Sequence, residues 1–401
     1  MSKSFGALAV GSFVSLIGTT VFDLVLAWWV VSKTGSAVVT GYLLAASLAP
    51  IAFIGPIGGV LSDRWNKKSI LIATDVVSGA VAMGVAVLVH HGVVNVPLMV
   101  AASLVLGTCS ALYRPAARSI VPRLVEERHL VRANSISTNL TETTKAVGPT
   151  LGAALVVMPA VGITGAIAIN GLSFWVSAAA AALIAYRHAD TGKDLTSVGH
   201  DLRDGFSYIG KHVLIRNMVV LCGAVNFFLV AFNILLPVYL TRVLHSSSST
   251  YGYALTAEAV GGIAVSVILL LWRDVVATNR VLVILLAAGG AALALMPFAP
   301  GKPGLLTLCA AQGLFVGGFN TLFFAHIQKE VRQEYLGRVF SVVYMVAIGV
   351  MPLAYVLWGY IGDSTIQWSL TYAGIGTILC GLPFALPQQR PMDAPRPVVA
   401  A

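Results

Sequence analysis

Long apolar runs, broken at short polar intervals, fill almost the whole chain. A bilayer span takes about 20 apolar residues. Segments of that length occur near 5–31, 38–62, 69–90, 97–117, 134–158 and 162–186. A second set falls near 216–241, 251–272, 280–299, 304–327, 338–361 and 366–386. The division between the fifth and sixth is the weakest, since only Met158 to Gly162 separates them. The pattern predicts an all-α membrane protein with twelve transmembrane helices in two six-helix bundles, 1–186 and 216–388. Between them lies the longest polar interval, 187–215, and after them a short tail, 389–401. Within the linker Leu202, Phe206, Ile209 and Val213 recur at spacings of four, three and four. That periodicity predicts a short amphipathic helix lying on the inner membrane surface.

Composition agrees with this reading. Charged residues make up 10% of the chain against about 25% in soluble proteins, and hydrophobic residues 57%. So few charges cannot cover a water-exposed surface, so lipid is the solvent for most of it. The first apolar run is too long for a signal-peptide core. The four cysteines, Cys109, Cys222, Cys309 and Cys380, sit singly in apolar runs and read as small buried hydrophobes. A net charge of +9 without any long basic segment argues against nucleic-acid binding. With the N-terminus placed inside, inward-facing segments hold 21 of the 25 Lys and Arg residues, and outer loops hold only Lys33, Arg242 and Lys302. The positive-inside rule then predicts that both termini are cytoplasmic.

The halves echo each other. "GYLLAASLAPIAFIGPIGGVLSD" from Gly41 and "GYALTAEAVGGIAVSVILLLWRD" from Gly252 lie at an offset that also carries Asp63 onto Asp274. "VRANS" (Val131–Ser135) similarly echoes "GRVFS" (Gly337–Ser341). Two such matches favour duplication, and parallel repeats place a substrate site at their interface near the bilayer midplane.

The loop after the second segment reads "GGVLSDRWNKK" (Gly58–Lys68). It resembles the signature loop of the major facilitator superfamily, with Gly59, Leu61, Asp63, Arg64 and Lys67/Lys68 matching. Asn66 stands where that signature has glycine, and Asn also tolerates left-handed turns. Three further segments, Tyr113–Val125, Arg132–Leu155 and Ile327–Ser341, resemble the macrolide-efflux and enterobactin-type siderophore exporter branch, as does "IGTTVFDLVLAWWVVSKTGS" in the first span. Gly148-Pro149-x-x-Gly152 resembles part of the antiporter motif of drug exporters. The resemblance implies that Asp63 and Arg64 form a charge latch at the cytoplasmic gate. Asp63 would sit at a neighbouring helix N-terminus or pair with a base.

Among intramembrane groups, Asp23 is the sharpest candidate. Ser15, Thr19 and Asp23 share one helix face, and a carboxylate at membrane depth needs a proton, a partner or water. It is read as a proton-coupling or substrate-contacting group, with a satisfied structural carboxylate as the alternative. Asn134, Thr138, Thr141, Lys145, Gly148 and Gly152 form a polar-then-small stripe that must face protein or water. Glu142 beside it either pairs with Lys145 or serves as a second protonation site. Glu258 either faces a water-filled cavity or pairs with Arg242. Asp75 is expected to reach the inner surface or pair with an arginine, and Arg114 to anchor at the inner interface. Asn226, Asn233, Gln312 and Asn320 are cavity candidates. Phe227, Phe228, Phe315, Phe319, Tyr344 and Trp358 are either an aromatic lining or packing. His90 and His91 have no third ligand in range, so no metal site is expected.

No Walker A, HExxH or GxSxG pattern occurs, which removes direct ATP drive and the common hydrolase chemistries. The expectation is a monomeric secondary transporter, with no cofactor, that exports a small amphipathic compound such as a drug or siderophore, coupled to protons. An importer or lysophospholipid flippase of the same fold, and a non-transporting sensor, are the alternatives.

Overall fold

The computed structural model describes residues 3–186, 195–271 and 277–385. All regular structure among them is helical: α1 Lys3–Thr34, α2 Ala37–Arg64, α3 Lys67–His90, α4 Val96–Leu124, α5 Leu130–Val157, α6 Gly162–Ala182, α7 Leu195–Lys211, α8 Val213–Leu229, α9 Ala231–Arg242, α10 Ser248–Leu271, α11 Asn279–Leu295, α12 Gly301–Glu330 and α13 Gln333–Ala385. Every apolar segment of the sequence falls on one of these helices. The early linker, Arg273 and Asp274, and the tail lie outside the described residues.

Ten stretches among the described residues are long and apolar enough to cross a bilayer. α8 and α9 make one of them, interrupted only at Val230, where the Asn233 amide reaches back three residues to the Val230 carbonyl at 3.1 Å. Pro237 lies downstream in α9, where it lacks an amide donor. α13 counts as one stretch of 53 residues, yet Thr365 is non-helical inside it (φ −141, ψ 43). Hydroxyls absorb the break: Thr365 Oγ1 donates to the Ile361 carbonyl at 3.0 Å, and Ser369 Oγ to the Thr365 carbonyl at 2.7 Å. α5 is not among the ten, because its polar first half dilutes its apolar second half. Large apolar side chains such as Leu183, Leu270, Leu271 and Phe53 point outward, as expected of a surface bathed in acyl chains.

The packing pattern repeats. In the first half α2 packs on α4, α3 on α6, and α1 on α5 and α6; in the second α10 packs on α12, α11 on α13, and α8 and α9 on α13. The halves meet through α2 against α13 and α5 against α10.

Three apolar cores define the state of the molecule. One spans both halves at the end away from the chain termini: Val25, Trp28 and Trp29 of α1 with Leu235 and Leu236 of α9, Tyr251 of α10 and Trp358 of α13. The other two lie toward the terminal end, and each stays within one half. Phe5, Leu71 and Ile120 belong to the first-half core, and Met218, Phe323 and Val342 to the second-half core. Among the described residues, then, an apolar core joins the halves at the far end, and the cores at the terminal end each stay within one half.

The linker helix differs from expectation. α7 turns Gly205, Tyr208 and Ile209 onto the second half, with Gly205 against the Arg338 carbonyl, and Tyr208 and Ile209 buried in its core. Phe206 and Val213 are exposed, and Val213 already opens α8. Stacking of Tyr208 on Tyr335 (centroids 4.5 Å) and His212 (4.0 Å) favours this neighbouring face over the Leu202–Phe206–Ile209 stripe. Leu202 itself lies outside the described side chains.

Candidate functional site

Asp23 sits where the shared core begins. Val21 and Phe22 before it and Leu24 to Val31 after it are buried, while its own side chain faces open space within the protein. That space is a recess of about 120 Å³ between α1, α2, α4 and α6. Asp23, Arg114, Asn170, Thr40, Ser47 and Ser103 give it a polar lining. It has room for a few waters but not for a drug-sized ligand, for which about 300–1,000 Å³ is usual. A larger ligand would have to use the gap between the halves.

Arg114 corrects the sequence reading. It lies in this recess within electrostatic range of Asp23, rather than anchoring at a membrane interface. The turn carrying Tyr113, Arg114 and Pro115 is interior to α4, which continues to Leu124 despite Pro115 and Pro122. The apolar signal stopped at the basic cluster; the helix did not.

The second half contributes Tyr251 and Tyr355, both buried and both in electrostatic range of Asp23. Tyr251 stacks on Trp28 with centroids 5.8 Å apart. Glu258, two turns along α10 and half-buried, acts on the same Tyr251 and on Cys309. The Arg242 partnership entertained for Glu258 does not form, since Arg242 pairs with Asp363. The structure thus brings Asp23 and Glu258, from opposite halves, to one tyrosine.

The polar cavity candidates separate. Asn233 is exposed and hydrogen-bonds Tyr355. Asn226 spends its amide on the Cys222 carbonyl of its own helix at 2.8 Å. Gln312 is buried with Oε1 unpartnered among the described residues, and Asn320 is exposed. Phe227, Phe228 and Trp358 pack together, with Trp358 Nε1 donating to the Phe227 carbonyl at 2.8 Å, so these three are packing. Asp75 reaches neither the surface nor an arginine: it is 2% exposed and hydrogen-bonded to Ser177.

The signature-loop residues are only partly described. The side chains of Gly59, Asp63 and Arg64 lie outside the described set, as do those of Glu142, Lys145 and Pro149 on α5. Lys67 is buried. Lys68 Nζ donates to the Ala182 and Ile184 carbonyls at 2.7 and 2.9 Å, a cation closing the end of α6. Asn66 is not left-handed. It is extended (φ −63, ψ 109), and its side chain accepts from the Lys68 and Ser69 amides, so it is the N-cap of α3. Gly148 lets α5 close on α1: a Cβ there would lie 2.6 Å from Thr20 Cγ2. At Gly152 the nearest atom, Val21 Cα, would be 3.4 Å away.

Sequence reasoning missed the far-end contact altogether. Asp363 of α13 accepts from Ser36 Oγ at 2.6 Å and from the Ala37 and Val38 amides at 2.7 and 3.2 Å. Those amides are the unpaired donors that open α2, so a carboxylate of one half caps a helix of the other. Arg242 Nη1 stands 3.2 Å from the same carboxylate, and Tyr42 Oη and Tyr360 Oη hydrogen-bond across the same seam at 2.6 Å. The available signal was "TGSAVV" opening the second span, a helix start awaiting an acceptor, with a lone acid at the end of the eleventh.

A family model described as transmembrane secretion effector matches residues 1–397. Macrolide efflux protein A of Streptococcus pyogenes is 23% identical over 372 residues, covering 90% of this chain and 89% of that protein. Multidrug efflux pump Tap of Mycobacterium tuberculosis is 25% identical over 355 residues, covering 84% and 82%. Among solved structures, a point mutant of the nucleoside transporter NupG superposes with a TM-score of 0.77 at 12% identity, over 95% of this chain and 99% of that one.

Proposed function

Because the chain belongs to the transmembrane secretion effector family of the major facilitator superfamily, transporters rather than enzymes, we propose that it exports a small amphipathic organic compound by alternating access, driven by proton antiport. The observation that carries this reading is the distribution of cores: one shared at the far end, and two separate ones at the terminal end with Asp23 at the boundary. A molecule so divided admits substrate from the terminal side. Counting α5 and dividing α13 at Thr365 supports a reading of twelve spans in two duplicated six-helix bundles, 1–186 and 216–388. The positive-inside bias supports a reading in which a monomer has both termini in the cytoplasm of a bacterial inner membrane, with its terminal end the inward-open one. The efflux relatives favour export of a drug-like or siderophore-like compound over import.

In this cycle substrate enters between the halves and Asp23 gives up its proton toward the cytoplasm. Ionised Asp23 then interacts with Arg114, and with Tyr251 and Tyr355 across the seam. Opening of the far end releases substrate, and a proton from outside resets the carrier. Such a change requires only that protonation stabilise one arrangement more than the other. The gate-motif residues Asp63 and Arg64 would close the terminal end in the alternate state, and Glu142 and Glu258 are second coupling candidates.

The test uses everted vesicles energised to an acid interior. Adding erythromycin or ethidium should release lumenal protons, and vesicles lacking the protein should not respond. Substrate accumulation that is indifferent to the proton gradient would refute antiport, and movement only in the opposite sense would favour an importer.

A further inference from the structure

The first half contains a second buried acid that the proposed cycle does not use. Asp75 on α3 is 2% exposed, and its Oδ2 has no hydrogen-bond partner among the described residues. The groups facing it come from three helices. Ser177 of α6 hydrogen-bonds it. From α4 come Tyr113 and Cys109, the titratable groups in its range. Tyr113 also hydrogen-bonds Ser177, and its Oη lies 2.9 Å from Ser12 Oγ of α1. Ser78, one turn along α3, bonds Cys109. No lysine, arginine or histidine is among these described partners. An ionised carboxylate in such a setting has no cation to compensate it, which is costly, whereas a neutral acid keeps the Ser177 hydrogen bond and leaves no buried charge.

This acid is connected to the recess. Asn170, Ser173 and Ser177 lie three and four residues apart on one face of α6, all buried. Asn170 lines the recess beside Asp23 and Arg114, and its Nδ2 is unpartnered among the described residues. Ser173 Oγ donates to the Asn170 carbonyl at 2.8 Å. One helical turn separates Ser173 from Ser177, a gap that a single water spans. Gly18 lets α1 close tightly on this stripe, since any Cβ there would collide with Ser173 Oγ, so water reaches it only when α1 moves.

We propose that Asp75 is a second proton-binding residue of the transport cycle, connected to the Asp23 recess by the Asn170–Ser173–Ser177 stripe of α6. Its Oδ2 carries the proton in the inward-open state. When the helices rearrange and water enters the stripe, the proton passes from Oδ2 to that water and on to the recess, leaving a carboxylate that Ser177 and Tyr113 stabilise. The inference rests on proton antiport for its role in transport, but proton binding at Asp75 is measurable without any substrate.

The experiment is infrared difference spectroscopy across a pH series on the purified full chain in liposomes. The wild-type protein should show a protonated-carboxyl carbonyl band that disappears as pH rises. Asp75→Asn should lose that band, Asp23→Asn should keep it, and Ser177→Ala should shift it by removing its hydrogen bond. Identical spectra for the wild type and Asp75→Asn, or a band that does not move in Ser177→Ala, would overturn the proposal. The Ser177→Ala comparison decides the matter if Asp75→Asn does not fold. Everted vesicles separate the two readings: absent substrate-stimulated proton release with the band intact defeats antiport alone, and intact release without the band defeats the Asp75 site alone.

Discussion

Asp363→Asn should loosen the far end by a calculable amount. The carboxylate receives one hydroxyl and two backbone amides from the start of α2, and it faces Arg242 with about a quarter of its side chain exposed. A hydrogen bond to a charged group contributes about 1.5–3 kcal/mol. A negative charge at a helix N-terminus contributes about 0.3–1 kcal/mol, and a part-exposed ion pair about 0–1 kcal/mol. Asparagine keeps one neutral acceptor, so roughly 2–3 kcal/mol of the closed state is lost. At about 1.4 kcal/mol per tenfold, the ratio of far-end-open to far-end-closed molecules should rise by about 30- to 150-fold. Double electron–electron resonance between labels at Val93, in the α3–α4 loop, and Lys302, in the first turn of α12, both exposed at the far end of opposite halves, reads that ratio directly. Arg242→Gln, which removes only the ion pair, should shift it by no more than about fivefold. A change of less than about threefold in Asp363→Asn would refute the assignment, because it would mean that the capped amides find equivalent partners once the charge is gone.

Three further outcomes follow from the packing. Gly41→Val should hold the far end ajar, since a Cβ at residue 41 lies 2.5 Å from the Tyr355 carbonyl; the same labels should show a longer distance, reflecting about 1–3 kcal/mol of overpacking. Gly148→Ala should destabilise the contact of α5 with α1 by a similar amount, seen as a lower Tm, and Thr20→Ser should recover part of it by removing the Cγ2 that the new methyl meets at 2.6 Å, while Cβ at 2.9 Å remains. Asp23→Asn should abolish proton-driven accumulation in vesicles while leaving the far-end distance distribution closed, and unchanged accumulation would dismiss Asp23 as the coupling residue.

How much of this was legible in the chain depends on the kind of force involved. Each apolar segment became a helix, because length and burial in lipid fix a span whatever its neighbours do. The Gly148 approach was legible for a related reason: a small residue beside a polar stripe has few uses other than contact. Tertiary choices were not legible. Arg114 reads as the end of a span because charge usually marks an interface, and only the fold shows that it faces a wet recess. Asn66 reads as a turn residue because a glycine usually stands there, yet the local geometry made it a cap. Asp75 and Asp363 are single acids of the same type near span ends. One is buried among hydroxyls of three helices and the other caps a helix far away in the sequence, and no local pattern distinguishes them.

Asp23 has a position suited to coupling that neither its charge nor its depth alone would provide. Toward the far end from it, α1 is locked into a core shared with α9, α10 and α13; toward the terminal end, α1 belongs to its own half. Arg114 is in the same half as Asp23 and need not change its relation to it when the halves rock. Tyr251 and Tyr355 belong to the other half, and must. A charge whose partners all lie in its own half gains nothing from rigid rocking alone, and responds only if the helices of that half also rearrange. A charge at the boundary interacts with partners whose distance is the conformational coordinate itself. Glu258 shares α10 with Tyr251 and moves with it, so replacing Tyr251 should weaken the coupling of Asp23 to the other half, where replacing Arg114 should alter Asp23 only within its own half.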